Sequence, residues 1–353
     1  MADLASQWPQ GLASTWAEGA ARGPAAVVTG IGAYVPPRLV TNDDLAQRLD
    51  TSDEWIRTRT GIATRHIVDE GMATIDLGTE AGRIALKSAG ESQVDAVVLA
   101  TTIPDRPCPA SAPEIASRLG LSGVAAFDVG AVCTGFIYAL AVSAGLIGIG
   151  IAERILCISA EAFSNLVNPD DRTTAVIFGD GAGAVVLRAG DRDEPGALGS
   201  FDLGSDGDRS DLIAVAAGGS RQPLASTHKT EDLYLAMDGR EVYRHAIPRM
   251  AESSKVVLER AGWDVADVDR FVGHQANVRI LDAVASRLGI PPDRRVANIE
   301  RVGNTAAASI PIALADAAAD GTLQAGHRVL LTAFGGGLTW GSTVLTWPVL
   351  TIG

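Results

Sequence analysis

Cysteine is scarce in this chain, with only Cys108, Cys133 and Cys157 in 353 residues. Their spacing fits neither a metal site nor a disulfide framework, so no metal is expected and a reducing, cytoplasmic compartment is. Positive charge is also short. Lys and Arg number 29 against 42 Asp and Glu, for a net charge of −13. That balance argues against nucleic acid as the main partner, while leaving room for a local basic patch on an acidic body. Long apolar runs are missing as well. The best membrane candidate, Phe136 to Ala152, has 17 residues and carries Ser143 and three glycines. A spanning helix needs about 20, so a buried core helix is expected and no membrane association. Residues 1–24 are Ala-rich and lack the apolar segment of a signal peptide, which predicts a mobile arm.

What the chain does have is apolar content of 47% and an internal echo. Ala89-Gly90 followed by Val94-Asp95-Ala96-Val97-Val98 resembles Ala261-Gly262 followed by Val268-Asp269-Arg270-Phe271-Val272. Both read as a helix end, a loop and a buried strand. Arg154-Ile155-Leu156-Cys157 resembles Arg328-Val329-Leu330-Leu331, again as strands. The separations are 172 (89 to 261) and 174 (94 to 268, 154 to 328), close to the 171 between Cys133 and Asn304. Two similar halves, 25–195 and 196–353, are expected. Alternating strands and helices imply an α/β fold with sheets covered by helices. A pseudo-twofold axis would bring Cys133 and Asn304 face to face. His274 follows the strand Arg270–Gly273, at the edge where α/β sites form.

Cys133 and Asn304 each follow a glycine-containing turn and are expected at helix starts. Free N–H groups and the helix dipole there favour thiolate. A contribution of up to about 2 kcal/mol, at about 1.36 kcal/mol per pKa unit, predicts a thiol moved from about 8.5 to near 7. A Cys–His–Asn set fits two machines, a papain-like hydrolase or an acyl transferase that holds a thioester and then condenses it. The strongly apolar helix after Cys133 disfavours the water a hydrolase needs. Phe334-Gly335-Gly336-Gly337-Leu338 suggests a tight turn, either a plain hairpin or a loop lending a backbone N–H to an oxyanion hole.

These motifs resemble the β-ketoacyl-acyl carrier protein synthase III family. The resemblance covers roughly residues 26–348 and rests on Asp50-Thr51-Ser52-Asp53-Glu54-Trp55-Ile56, Thr58-Arg59-Thr60-Gly61-Ile62, Cys133-Thr134-Gly135-Phe136, Phe178-Gly179-Asp180-Gly181-Ala182-Gly183-Ala184, Gly273-His274-Gln275-Ala276-Asn277, Gly303-Asn304-Thr305-Ala306 and Phe334-Gly335-Gly336-Gly337. It implies a thiolase-like αβαβα sandwich of two duplicated halves, as a homodimer. It implies a decarboxylative Claisen condensation of an acyl-CoA with malonyl-acyl carrier protein through an acyl-Cys133 intermediate. The N–H groups of Cys133 and Gly336 would form the oxyanion hole, and His274 and Asn304 would hold the enolate. Some acceptor must then fix the His274 tautomer. No cofactor is implied beyond acyl-CoA as substrate. Trp55, Arg59, Arg172 and Asn277 would contact CoA, and Arg240 stands where the family often has a pantetheine-binding asparagine. Arg244, Arg279 and Arg287 would dock the acidic carrier protein. Cys108 would close the partner subunit's acyl pocket and, being small, admit primers longer than acetyl.

Fatty acid initiation and polyketide priming both fit, with Cys108 and Arg240 favouring priming. The Ala- and Arg-rich composition resembles that of actinobacterial proteins. The alternatives are acyl transfer to an oxygen or nitrogen acceptor, which Asn304 disfavours, and a non-catalytic partner subunit, which Cys133 disfavours. A redox-sensing Cys133 would form no acyl adduct.

Overall fold

The structure, a computed structural model, describes residues 23–227 and 229–352. The expected N-terminal arm lies outside the described residues, except for Gly23 and Pro24.

Thirteen strands organise the described residues. They are β1 (Ala25–Tyr34), β2 (Leu39–Thr41), β3 (Thr64–His66), β4 (Ala96–Ala100), β5 (Ala125–Val129), β6 (Arg154–Glu161), β7 (Gly181–Gly190), β8 (Leu198–Ser205), β9 (Ile213–Val215), β10 (Leu235–Met237), β11 (Arg270–Gly273), β12 (Arg328–Gly335) and β13 (Thr339–Thr346). Seven helices matter here: α1 (Asp53–Thr60), α2 (Thr74–Ala89), α3 (Ala112–Arg118), α4 (Gly135–Gly148), α5 (Gly239–Ala261), α6 (Val278–Leu288) and α7 (Ser309–Ala319).

Two mixed sheets carry the fold. The first has the order β1-β7-β6-β4-β5 and the second β8-β13-β12-β11. Each starts with two antiparallel pairings and then turns parallel. A parallel bridge from Phe271 to Arg295 stands in the second sheet where β5 stands in the first. The central strands are apolar on both faces, as parallel strands covered on both sides must be. Val97, Leu99, Leu156 and Ile158 face α2 and α3. Their neighbours Ala96, Val98, Ile155 and Cys157 face the opposite way, into a cluster shared with Val329 and Leu331 of the second sheet. Between the sheets lie α4 and α7, whose Phe136, Ile137, Leu140, Ile310, Ala313 and Leu314 join that same cluster. A helix that is apolar nearly all round belongs in such a layer. The amphipathic α5 and α6 close the far side on Leu330 and Val344. The result is the αβαβα sandwich expected from the sequence. No described helix is long and apolar enough to cross a membrane.

The repeat keeps a spacing of 174 through the centre: β4 to β11 (96 to 270), β6 to β12 (154 to 328) and α4 to α7 (135 to 309). That corrects the pairing of Cys133 with Asn304. At a spacing of 174 the twin of Cys133 is Ala307. The backbone agrees, because Val132 and Ala306, each one residue earlier, share a φ of 46°. They are the two non-glycine residues of positive φ among those described. Such backbone is strained for a β-branched residue like Val132, and it turns the chain sharply into the helix that follows.

Candidate active site

Cys133 lies in a single 3-10 turn, Val132–Thr134, leading directly into α4. His274 is the residue after β11, and its N–H donates to Thr332 O at 2.9 Å, extending the sheet by one step. Asn304 is not at a helix start, as the sequence suggested. It forms a parallel bridge with Phe178, its N–H donating to Ile177 O at 2.9 Å and its carbonyl accepting from Gly179 N–H at 3.0 Å. The helix begins five residues later, at Ser309. Gly179 must be glycine here, since a Cβ would lie 2.4 Å from Val302 O. Asp180 anchors the clamp by accepting from Val68 N–H and from Ser164 N–H and Oγ. Thus a motif of the first half holds a residue of the second.

Cys133, His274 and Asn304 are 8%, 2% and 5% exposed and line one narrow apolar cavity of about 40 Å³ with Phe163, Phe178 and Met250. The β12–β13 hairpin lies against the cysteine. A Cβ at Gly335 would come 2.8 Å from Cys133 Cβ. The glycine run is a hairpin, and it abuts the thiol. The backbone N–H groups of Cys133 and Gly336 lie close enough to the Cys133 sulfur to favour its thiolate. Thr339 Oγ1 ties the two turns together through Thr134 Oγ1 at 2.6 Å and Gly336 O at 3.0 Å.

The expected acidic thiol is not found. Burial pushes Cys133 up to about 12, with the charge of Glu161 adding to the effect and the two N–H groups opposing it. Glu161 is fully buried at the end of β6 and accepts from Thr102 N–H and Thr102 Oγ1, with the Ala307 N–H nearby also favouring its charged form. Burial pushes its carboxyl up to about 8. The pKa shifts set a pH signature. Alkylation of Cys133 in the free enzyme climbs with pH to beyond 10, because a raised pKa leaves little thiolate below it. Glu161→Gln removes a charge present above about pH 8 and speeds alkylation roughly threefold there. A plateau near pH 8, measured by iodoacetamide labelling, would contradict both statements.

His274 is opposite in sense. Burial pushes its imidazole down to about 3, so it is neutral at ordinary pH. Its Nδ1 lies 2.6 Å from Ser309 Oγ. Ser309, Glu161, Thr134 and Thr339 were not singled out from the sequence, because their partners are far away along the chain. The only signal was position: Ser309 and Thr134 flank helix starts.

The remaining predicted residues lie outside the lining of this cavity. The guanidiniums of Arg59 and Arg172 both lie over the Trp55 ring, 4.3 and 4.8 Å from its centre. Arg172 also donates to Asp50 O at 2.7 Å. Asn277 caps α6 through Arg279 N–H and donates to Arg59 O at 3.0 Å, so it joins α6 to α1. Arg240 is exposed in the first turn of α5, two residues before the cavity-lining Val242. Arg244 is exposed and paired with Glu241 at 2.8 Å. Arg279 and Arg287 are both exposed on α6, and Arg279 donates to Thr58 O at 2.8 Å. Cys108 is exposed in the loop before α3 and is absent from the residues lining the cavity.

Comparison with known proteins decides the family. The family model described as 3-oxoacyl-[acyl-carrier-protein] synthase III matches residues 127–207, and its C-terminal counterpart matches residues 258–347. The chain is 58% identical over 329 residues to β-ketoacyl-[acyl-carrier-protein] synthase III 3 of Streptomyces coelicolor, covering 92% of this chain and 98% of that relative. The chain belongs to the β-ketoacyl-acyl carrier protein synthase III family. This synthase III superposes on the crystal structure of 3-oxoacyl-(acyl carrier protein) synthase III from Pseudomonas aeruginosa with a TM-score of 0.88, at 49% identity and coverage of 93% and 99% of the two chains. It also matches a priming β-ketosynthase of a polyketide biosynthetic pathway, with TM-score 0.86, 32% identity and coverage of 92% and 97%. Synthase III enzymes are acyltransferases with the thiolase fold, and this chain is one of them.

Proposed function

We propose that this synthase III joins an acyl-CoA primer to malonyl-acyl carrier protein in two half-reactions at Cys133. In the first, Cys133 Sγ attacks the acyl-CoA thioester, the tetrahedral oxyanion rests on the N–H groups of Cys133 and Gly336, and the departing CoA sulfur takes the thiol proton. In the second, malonyl-acyl carrier protein loses CO2. The electron pair of the broken C–C bond becomes an enolate whose oxygen accepts from His274 Nε2–H and Asn304 Nδ2–H. Its carbon attacks acyl-Cys133, the new oxyanion uses the same two N–H groups, and collapse releases 3-oxoacyl-acyl carrier protein. The cysteine sulfur regains a proton from solvent. What supports this reading above all is the shared apolar cavity of Cys133, His274 and Asn304, with the backbone N–H groups of Cys133 and Gly336 beside the sulfur. A neutral His274 suits a hydrogen-bond donor that does not trade protons.

The test is to incubate the enzyme with a panel of acyl-CoAs, look for a covalent mass on the Cys133 peptide, and then add malonyl-acyl carrier protein and measure CO2. An adduct followed by CO2 is expected. An adduct without CO2 would favour acyl transfer to oxygen or nitrogen, and no adduct would favour a non-catalytic subunit.

The same reading assigns Trp55, Arg59, Arg172, Arg240 and Asn277 to CoA, and Arg244, Arg279 and Arg287 to an acidic carrier protein. It takes residues 25–195 and 196–353 as the two halves of each protomer of a homodimer in a reducing cytoplasm. Cys108 of one protomer would border the other's acyl pocket, which favours primers longer than acetyl and polyketide priming. In the same loading panel, strict acetyl preference would count against that role. For docking, Arg287→Glu is a cleaner test than Arg279→Glu, since Arg279 also bonds Thr58 O near Trp55. Charge reversal at Arg287 is expected to raise KM for malonyl-acyl carrier protein roughly tenfold and leave acyl-CoA loading unchanged. Equal loss in both half-reactions would rule the docking role out.

A further inference from the structure

His274 can serve as a donor to substrate only if its single proton sits on Nε2. Neutral imidazole carries that proton on either nitrogen, and the partner of the other nitrogen decides which. Here the partner is the hydroxyl of Ser309, 2.6 Å from Nδ1. Both groups are buried, His274 at 2% and Ser309 at 1% exposure.

The donor and acceptor accounting around Ser309 closes in one way. Its Oγ already accepts from Gln275 N–H at 3.2 Å. Its hydroxyl proton has one acceptor within reach among the described residues, His274 Nδ1. If Nδ1 carried a proton instead, Oγ would receive two donors and its own proton would be left unpaired in a dry site. Buried polar groups are rarely left so. We propose that Ser309 is a positioning residue that donates its hydroxyl proton to His274 Nδ1 and so fixes the imidazole in the Nε2–H form that faces the catalytic cavity. The inference rests on the reading of His274 as the donor to the enolate.

The repeat supplies a second, independent observation. At the 174 spacing, Ser309 is the twin of Gly135 and His274 is the twin of Ala100. In the first half these twins meet tightly, since a Cβ on Gly135 would lie 3.0 Å from Ala100 Cβ. The same contact between strand end and helix start is thus plain packing in one half and a hydroxyl–imidazole hydrogen bond in the other. A packing role alone would be met by the small apolar pair that the first half uses.

Two measurements test this. The first is 15N NMR of histidine-labelled wild-type enzyme near pH 7, with the His274 signals assigned by their loss in His274→Ala. A pyridine-type Nδ1 and a protonated Nε2 are expected, and a protonated Nδ1 overturns the proposal. The second separates the half-reactions in Ser309→Ala. Malonyl decarboxylation is expected to fall roughly 10- to 100-fold, as when an outer partner of a catalytic histidine is lost, while acylation of Cys133 by acyl-CoA holds its rate. Unchanged decarboxylation, or equal loss in both steps, overturns it. Decarboxylation by His274→Ala tells the two readings apart. If that variant is also unimpaired, the donor assignment itself fails. If it is crippled while Ser309→Ala is not, only the role of Ser309 fails. The NMR experiment needs no variant at position 309 to fold.

Discussion

Asn304→Ala lowers decarboxylation of malonyl-acyl carrier protein by roughly 10²- to 10³-fold, the usual effect of deleting one donor to a developing oxyanion. Acylation of Cys133 stays within a few-fold of wild type, because that step uses the N–H groups of Cys133 and Gly336. The alanine variant also removes the acceptor for Ala306 N–H, which Asn304 Oδ1 holds at 2.9 Å. Ala306 has a φ of 46°, so the turn needs that bond more than most. Asn304→Asp separates the two effects. It keeps an oxygen for Ala306 N–H and replaces only the Nδ2 donor. Decarboxylation should be lost at least as severely in the aspartate variant, where a carboxylate would face the enolate. Full decarboxylation by Asn304→Asp, measured as CO2 release, would remove Asn304 from the mechanism.

Gly335→Ala has the second large effect, and it falls on the other half-reaction. The new methyl would lie 2.8 Å from Cys133 Cβ and 2.9 Å from Cys133 N. Real Cβ atoms do not approach so closely, so the nucleophile or the hairpin must move. A displacement of about 1 Å at a reacting group costs roughly 100-fold, so acylation is expected to fall by about that factor or more. Overpacking of this kind also costs about 1–3 kcal/mol of stability. Gly336→Ala is the control. Its nearest contacts would be 3.3–3.4 Å away, on Ile213, and the smaller effect is expected there. Acyl-adduct formation is the readout, with a thermal melt alongside. If Gly335→Ala acylates at the wild-type rate, the hairpin does not set the position of the thiol.

The scaffold was largely legible in the sequence. The strand Arg270–Gly273 is found as read, and the runs after Arg154 and Arg328 are both strands. They were legible because β-strands buried on both faces are short, continuous apolar runs, and because the chain prints them twice. The second strand runs on to Gly335, beyond the apolar run that ends at Leu331, since Phe334 and Gly335 still pair with Trp340 and Thr339. The convergence of Cys133, His274 and Asn304 was legible through the motifs. Its local chemistry was not. The thiol was expected near 7 from the helix start alone, whereas burial and Glu161 dominate and both are tertiary facts. Asn304 was expected at a helix start, whereas it lies two residues before a 3-10 turn, Ala306–Ala308, and the α-helix begins only at Ser309. The spacing of 171 between Cys133 and Asn304 looked like part of the repeat and is a near miss, three short of the spacing that pairs Cys133 with Ala307.

That last pairing bears on how many chains a protomer handles. Duplication created a second niche around Ala307, and there the Ala307 N–H lies beside the buried Glu161 carboxyl and favours its charged form. The ancestral symmetry therefore survives in the backbone but not in the reactivity. The spare niche is occupied by an internal side chain, whose carboxyl burial keeps protonated below about pH 8, and a thioester entering the protomer meets one host instead of two rivals.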